Sequence, residues 1–393
     1  LLLPMLREIA INIYLFFFKF FFNIFKIIPL KKRIVFVVTF EENVLQICKE
    51  IKNSKHSALV TIICHSRILW QLKKCLPEFD IIPYNSIKSS FFLKSIFLLS
   101  TSKTIVIDNY FAFLSAIRFK KNVECIQIWH SVGAIKTFGL LDKSVAKRTD
   151  IARKRFENVY KQFDKVVVGS NRMKQVFTAA FNTPQENFLE TGIPRTDVFF
   201  NREEVNKIKF KFFQQYKFLG KKKVILYSPT YRDEELKSYK LKLDLDLLYK
   251  ELKEDYALIV KLHPAVNKVK SYIEKYPDFL IDLSNDYRTN EILIISDYLI
   301  TDYSSIPFEF ALLEKPIIFY PYDLNYYKDN RGLLLDFDTE LPGPIAYNTS
   351  EILKLIKSNQ FDEREITDFS YKWNHYSIGQ SSSNFVRYLI KTL

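Results

Sequence analysis

The stretch Val123-Glu124-Cys125-Ile126-Gln127-Ile128-Trp129-His130-Ser131-Val132-Gly133-Ala134-Ile135-Lys136-Thr137-Phe138-Gly139 joins an apolar run to a histidine and then to a loop held between two glycines. Val123–Trp129 reads as a strand buried on both faces, the kind that fills a parallel sheet. The protein has only 8 glycines in 393 residues. Two of them so close together mark backbone that must turn sharply or come close to another group. A histidine at the carboxyl end of a parallel strand stands where open α/β sheets carry their chemistry. Taken alone, His130 is equally well read as a core histidine beside an ordinary turn, and the remainder of the chain decides between the two.

On both sides of this stretch, apolar runs alternate with amphipathic ones. Strands are expected at 33–40, 58–65, 81–84, 104–108, 123–129, 165–168 and 187–190. Helices fall between most of them, including 42–52 and 66–75. A basic, helix-like and strand-free segment, 201–223, separates this half from a second one. There the pattern restarts with strands at 223–227, 256–262, 279–282, 298–301 and 316–320. Helices are expected at 244–254, 289–295, 306–313 and 350–358, with a terminal helix over 381–393 capped by serine. The fold class is α/β, with two doubly wound, Rossmann-like domains and a cleft between them. The domains are placed at 33–205 and 206–375, preceded by a membrane-associating segment over 1–32 and followed by a C-terminal helix within 376–393.

Composition narrows the function. The formal net charge of +14 points to an anionic partner such as a nucleic acid, a phospholipid surface or a phosphorylated substrate. No zinc-finger spacing, RNP-type motif or G-x-x-G accompanies the basic clusters, so no nucleic-acid partner is expected. Cys48, Cys64, Cys75 and Cys125 show no C-x-x-C spacing and read as reduced thiols of a cytosolic protein. No P-loop and no G-x-G-x-x-G is present, and no cofactor is expected. Asp244-x-Asp246 and Asp336-x-Asp338 have the spacing of a metal motif but lie in a helical alternation and an acidic stretch. Both read as structural, and no metal site is expected.

Residues 9–28 are long and apolar enough to span a bilayer. Their polar positions argue for a different placement. On a helix, Glu8, Asn12, Lys19, Asn23 and Lys26 fall within an arc of roughly 60°, a single stripe on an otherwise Phe-rich surface. That pattern suits an amphipathic helix lying in the membrane interface, with Lys31, Lys32 and Arg33 meeting anionic headgroups. A cleaved signal peptide is not expected, because no small-residue cleavage site follows.

Four further strand ends carry unusual polar residues: Thr191-Gly192-Ile193-Pro194-Arg195-Thr196-Asp197, Ser228-Pro229-Thr230-Tyr231-Arg232-Asp233, His263-Pro264 after Lys261-Leu262, and Asp302-Tyr303-Ser304-Ser305. Singly, each has a plain structural explanation. Ser304 and Ser305 suit N-caps, Thr230 and Arg232 a turn, His263 a capped core position, and Pro194 a strand stop. Their recurrence at four strand ends in two domains favours one shared chemistry. Ser304 and Ser305 open a helix and offer hydroxyls and N–H groups to a phosphate. Arg195 and Arg232 carry guanidinium forks suited to phosphate oxygens. His263 can donate to a phosphate or leaving group, and His130 titrates in the range of a general base. This inventory suits transfer from a nucleotide-linked donor.

These motifs, in this order over residues 33 to 337, resemble the CDP-glycerol glycerophosphotransferase family of wall teichoic acid synthesis. The form Trp129-His130-Ser131-Val132-Gly133-Ala134-Ile135-Lys136-Thr137-Phe138-Gly139 is similar to the primase-like branch, as are the Phe-rich helix and Val38-Thr39-Phe40-Glu41-Glu42-Asn43. The resemblance implies a GT-B fold and transfer of glycerol phosphate from CDP-glycerol, with CMP released. The acceptor it implies is a lipid-pyrophosphate-linked disaccharide of N-acetylmannosamine and N-acetylglucosamine, met at the cytoplasmic face of the cell membrane. It implies His130 as the catalytic base and His263 as a second catalytic residue on the donor's phosphates. Gly133, Arg195, Pro229, Thr230, Arg232, Lys261, Asp302, Ser304, Ser305 and Glu309 would form the donor site. Glu309 stands where the family often has aspartate, which leaves glycerol and ribitol open as donors. A teichoic acid polymerase, a GT-B transferase using a nucleotide sugar, and a homo-oligomeric state also stay open.

Overall fold

A computed structural model of the protein describes residues 2–54, 57–84, 89–146, 148–230, 232, 240–262 and 270–393. The chain divides into two compact units. The first comprises 1–130, 138–197 and 376–393, and the second comprises 131–137 and 198–375. The short segment 131–137 and the C-terminal helix are thus grouped by contact rather than by chain order.

The first unit is built on seven parallel strands: β1 (Lys31–Val38), β2 (Leu59–Cys64), β3 (Asp80–Pro83), β4 (Ser102–Ile107), β5 (Glu124–Gln127), β6 (Lys165–Val167) and β7 (Phe188–Leu189), in the order β3-β2-β1-β4-β5-β6-β7. Ile34 to Val38 are all buried, as a central strand covered on both faces requires. The second unit holds β8 (Lys223–Ser228), β9 (Tyr256–Val260), β10 (Leu280–Asp282), β11 (Tyr298–Thr301) and β12 (Ile317–Phe319), in the order β10-β9-β8-β11-β12. Both sheets reverse strand order beside their first strand, between β1 and β4 and between β8 and β11. Such a switch point is where doubly wound folds bind their ligands. Every expected strand is present. Several end one or two residues early, because the chain leaves the ladder to build loops.

In the second unit, 131–137 runs alongside Leu333. Lys136 bridges to Leu333, the Leu334 N–H donates to the Ile135 carbonyl at 2.7 Å, and the Thr137 N–H donates to Gly332. Gly133 belongs to this contact, since a Cβ there would stand 2.3 Å from the Phe308 ring. In the first unit, the terminal helix spans Ser381–Thr392. The expected serine cap is not what holds it: Gln380 occupies the cap position without a side-chain bond. Instead the Ser381 and Ser382 N–H groups donate to the Asp197 carboxylate at 3.0 and 2.7 Å. An anion over exposed N–H groups at a helix start is itself stabilising.

The N-terminal helix, Leu2–Phe25, is long and apolar enough to cross a membrane by length and composition. One face is occupied by protein. Phe18 and Phe22 are buried; Phe18 stacks on Phe113 at 4.8 Å, and Phe25 meets Phe97 edge-on. The polar stripe runs along the seam of this contact, with Glu8 paired to Arg155 and Lys26 donating to the Arg118 carbonyl at 2.6 Å. The rest of the helix is apolar and exposed: Leu6, Ile9, Ile13, Phe16, Phe17, Phe20 and Ile24. The helix therefore has three faces rather than the two that its polar stripe suggests. Lys31 and Lys32 just beyond it are exposed, while Arg33 is half-buried.

Candidate active site

Each unit builds a polar cluster at its switch point, around a buried aspartate. In the first unit this is Asp108, directly after β4. Its carboxylate accepts the Thr39 N–H at 2.9 and 2.8 Å and the Phe40 N–H at 2.8 Å, which closes the loop after β1. Burial pushes the Asp108 carboxyl up to about 7, and the two N–H bonds only partly oppose that rise.

His130 follows β5 and lies against the same loop. Its Nδ1 is 2.9 Å from the Asp108 carbonyl oxygen. A carbonyl only accepts, so Nδ1 carries the proton and Nε2 holds the lone pair. The ring stacks between Phe40 at 4.8 Å and Trp129 at 4.3 Å, which fixes its plane. The backbone leading to it is strained, because Trp129 has φ +51. Such a conformation costs on the order of 1–3 kcal/mol and persists only where neighbours enforce it. Here the Trp129 N–H donates to Gln127 Oε1 at 2.8 Å, and Asn43 Nδ2 donates to the Trp129 carbonyl at 2.9 Å.

Arg195 belongs to this cluster. Its guanidinium donates to the His130 carbonyl at 2.8 Å and lies 3.5 Å from Glu42, and its backbone N–H donates to Asn43 Oδ1 at 3.0 Å. Asn43 and Arg195 together clamp the carbonyls of Trp129 and His130. Gly192, three residues earlier, has φ +79 and no room for a Cβ beside the Tyr376 carbonyl.

In the second unit the aspartate is Asp302, directly after β11. Its carboxylate accepts the Thr230 N–H at 2.7 Å and the Tyr303 N–H at 2.6 Å, fixing the loop after β8 that holds Pro229. Burial raises the Asp302 pKa, and the Arg232 charge opposes the rise. Arg232 is spent on protein partners. It donates to Asp302 at 2.9 Å and through Nε and a terminal nitrogen to Asp323 at 3.0 and 2.8 Å, and it also bonds the Thr230 carbonyl. Tyr303, Tyr322 and Tyr327 set their rings 5.0 to 5.2 Å from its guanidinium carbon. Burial alone disfavours its charge, yet the Asp323 and Asp302 carboxylates raise its pKa.

The remaining expected residues sort by what they touch. Lys261 donates to three carbonyls, those of Leu283, Ser284 and Tyr287, at 3.3, 3.3 and 2.8 Å. Ser304 Oγ accepts the Ile306 N–H, whereas Ser305 makes no capping bond. Glu309 is buried on the helix Ile306–Phe310, which tightens into a 3-10 turn over Ala311–Leu313. Among the described residues the buried Thr230 hydroxyl has no hydrogen bond of good geometry, although it interacts with the Asp302 carboxylate. His263 lies outside the described residues. Asp244 caps the helix Leu245–Leu252, Asp246 pairs with Lys275, and Asp336 accepts the N–H groups of Asp338 and Thr339, so both D-x-D pairs are structural. Among the described residues, no three His, Cys, Asp or Glu side chains are placed to hold a metal. Sequence reasoning missed Asp108, Asn43, Asp323 and the tyrosines around Arg232. Asp108 carried a signal in its position at a strand end, and Asn43 and Tyr303 lay within quoted motifs without being assigned a role.

Two doubly wound parallel sheets, each with a polar cluster at its switch point, define a group-transfer fold of the GT-B class. The fold is shared with a solved structure, the wall teichoic acid polymerase TagF, at TM-score 0.78 and 25% identity over 98% of this chain and 96% of that one. The family model "CDP-Glycerol:Poly(glycerophosphate) glycerophosphotransferase" matches residues 20–391. The teichoic acid glycerol-phosphate primase of Bacillus subtilis (strain 168) is 34% identical over 98% of both chains. That of Bacillus spizizenii is 35% identical over 92% of this chain and 93% of its own. The chain belongs to the CDP-glycerol glycerophosphotransferase family, in its primase-like branch, and is a glycerophosphotransferase.

The geometry separates two roles for Arg232. As the centre of a buried ion cluster, Arg232→Ala strands Asp302 and Asp323 and should cost about 3–5 kcal/mol of unfolding free energy by urea denaturation. Arg232→Lys keeps the charge without the fork and should fall between the alanine variant and the parent. Unchanged stability with donor binding lost would mean instead that Arg232 serves the donor directly.

Proposed function

We propose that this protein is a teichoic acid primase. It moves one glycerol phosphate from CDP-glycerol to a hydroxyl of a lipid-diphosphate-linked disaccharide at the cytoplasmic face of the membrane. The observation that carries the mechanism is the bond from His130 Nδ1 to the Asp108 carbonyl, which puts the lone pair of the neutral ring on Nε2. Nε2 takes the proton of the acceptor hydroxyl as its oxygen attacks the phosphorus that bears glycerol. The bond from that phosphorus to the bridging oxygen breaks, and CMP leaves with the bridging oxygen. The Thr230, Ser304 and Ser305 hydroxyls serve the donor's phosphate oxygens, a role His263 shares in this reading, and Glu309 serves the polyol. Asp302 and Arg232 hold the loop that presents Thr230, Lys261 ties β9 to the loop after β10, and Gly133 allows its loop to seat on Phe308. Asn43 and Arg195 position His130.

The exposed apolar face of the N-terminal helix, with Lys31 and Lys32 beside it, is the membrane contact of this reading. Each basic residue near an anionic surface contributes roughly 1 kcal/mol, and each buried phenylalanine about 1.5–3 kcal/mol.

Product analysis with a synthetic lipid-linked disaccharide tests the reaction. The protein should add a single unit from CDP-glycerol, and His130→Ala should lower kcat about 10²–10⁴-fold while still binding CDP-glycerol. A ladder of products would assign a polymerase instead. Wild-type turnover by the alanine variant would remove His130 from the chemistry.

The double variant Phe16→Glu, Phe20→Glu should lose most binding to anionic vesicles in a sedimentation assay and keep its affinity for CDP-glycerol. Undiminished vesicle binding would locate the membrane contact elsewhere.

A further inference from the structure

A cavity of about 370 Å³ lies within the first unit, between the N-terminal helix and the carboxyl ends of β1 and β4. That volume is in the range of small-molecule pockets. Ile63, Phe92, Leu99 and Phe113 form a hydrocarbon inner wall, faced by Phe18 of the N-terminal helix. The Ser95 hydroxyl turns back to the Phe91 carbonyl at 2.8 Å, and Tyr14 and Tyr110 also line the cavity. Sugar hydroxyls turned against the hydrocarbon part of the wall would go without partners, a cost that a hydrocarbon chain does not meet.

The other end is polar. Thr39, Tyr84 and Asn109 form the rim, with the Tyr84 and Thr39 hydroxyls 3.4 Å apart and Asn109 Nδ2 3.5 Å from Thr39. Thr39 and Asn109 flank Phe40 and Asp108, the residues that hold His130. Arg67 adjoins this end without lining the cavity. Its guanidinium donates to the carbonyl of the lining residue Thr39 at 3.2 Å and lies over the Phe40 ring at 5.0 Å, and the same ring stacks on His130 at 4.8 Å. A cation and the base thus share one aromatic neighbour beside the polar end of the cavity. The cavity's outer wall is the helix whose far face is apolar and exposed.

We propose that this cavity receives the first isoprenoid units of the acceptor's lipid carrier, with Arg67 binding the diphosphate that joins carrier to sugar. This rests on the lipid-linked acceptor of the proposed function. The guanidinium supplies a fork for phosphate oxygens. The Phe40 ring sets the spacing between diphosphate and base that the disaccharide bridges. The arrangement makes the enzyme read the carrier as well as the sugar, and it delivers the reacting hydroxyl from a fixed anchor.

Farnesyl diphosphate, a short isoprenoid diphosphate, is the probe. Calorimetric titration should show binding to the full chain, weakened about tenfold by Ala112→Leu, which narrows the cavity, and about tenfold by Arg67→Ala beside its polar end. A photoreactive analogue should label Phe92 or Phe113 in the unsubstituted protein, a readout independent of any variant's folding. Ala112→Leu should also reduce about tenfold the preference for a polyprenyl-linked disaccharide over a methyl-capped disaccharide diphosphate, read as the ratio of kcat/KM. Labels confined to Phe16 and Phe20, or farnesyl diphosphate affinity unmoved by both substitutions, would overturn the assignment. Equal losses on both acceptors would overturn it by giving the cavity to the sugar. Labelling inside the cavity without transfer to either disaccharide would leave the isoprenoid site standing and defeat the acceptor reading instead.

Discussion

A buried aspartate at the end of the switch strand is the constraint on which both units rest. Asp108 and Asp302 each accept two backbone N–H groups, one pair from the loop after β1 and one shared between the loop after β8 and Tyr303. Hydrogen bonds to a charged group are worth roughly 1.5–3 kcal/mol each, and they offset the cost of taking a carboxylate out of water. The same bonds fix the backbone where a doubly wound sheet opens to its ligand. Without Asp108, Phe40 and the segment bearing Glu42 and Asn43 lose their anchor, and His130 loses the loop on which it stacks.

The two units use this device differently. In the first, the neighbour of the aspartate is an imidazole bonded to its backbone carbonyl, so the ring stays in one tautomer between two aromatic faces. In the second, the neighbour is a guanidinium shared with Asp323 and enclosed by three tyrosines. The first arrangement presents a proton acceptor. The second consumes its own charge on the carboxylates of the fold. Rigidity around Thr230 and lone-pair orientation at His130 are both forms of preorganisation, which group transfer rewards because no reorganisation is then needed at the moment of reaction.

The sheets were legible in the sequence because each central strand is a run of apolar, mostly β-branched residues, and that pattern depends on burial alone. His130 was legible for the same reason, as a polar residue closing such a run. The partners of the charged residues were not. Arg232 meets Asp302 and Asp323 across 70 and 91 residues, and Arg195 meets Asn43 across 152. An arginine's composition and spacing do not say whether its fork will face a ligand or a carboxylate of the fold. The N-terminal helix shows the same limit. Phe18 and Phe20 are identical in type and two positions apart in sequence, yet one is buried on Phe113 and the other is exposed. Periodicity identified the polar stripe, but it could not divide the apolar remainder between protein and surroundings.

The central claim is that the Asp108 carbonyl holds His130 with its proton on Nδ1, so that Nε2 is the base. Long-range ¹H–¹⁵N correlation spectra of histidine-labelled protein, assigned by comparison with His130→Gln, report which ring nitrogen carries the proton. The account predicts an Nδ1-protonated neutral ring above its pKa. A ring protonated on Nε2 would contradict it.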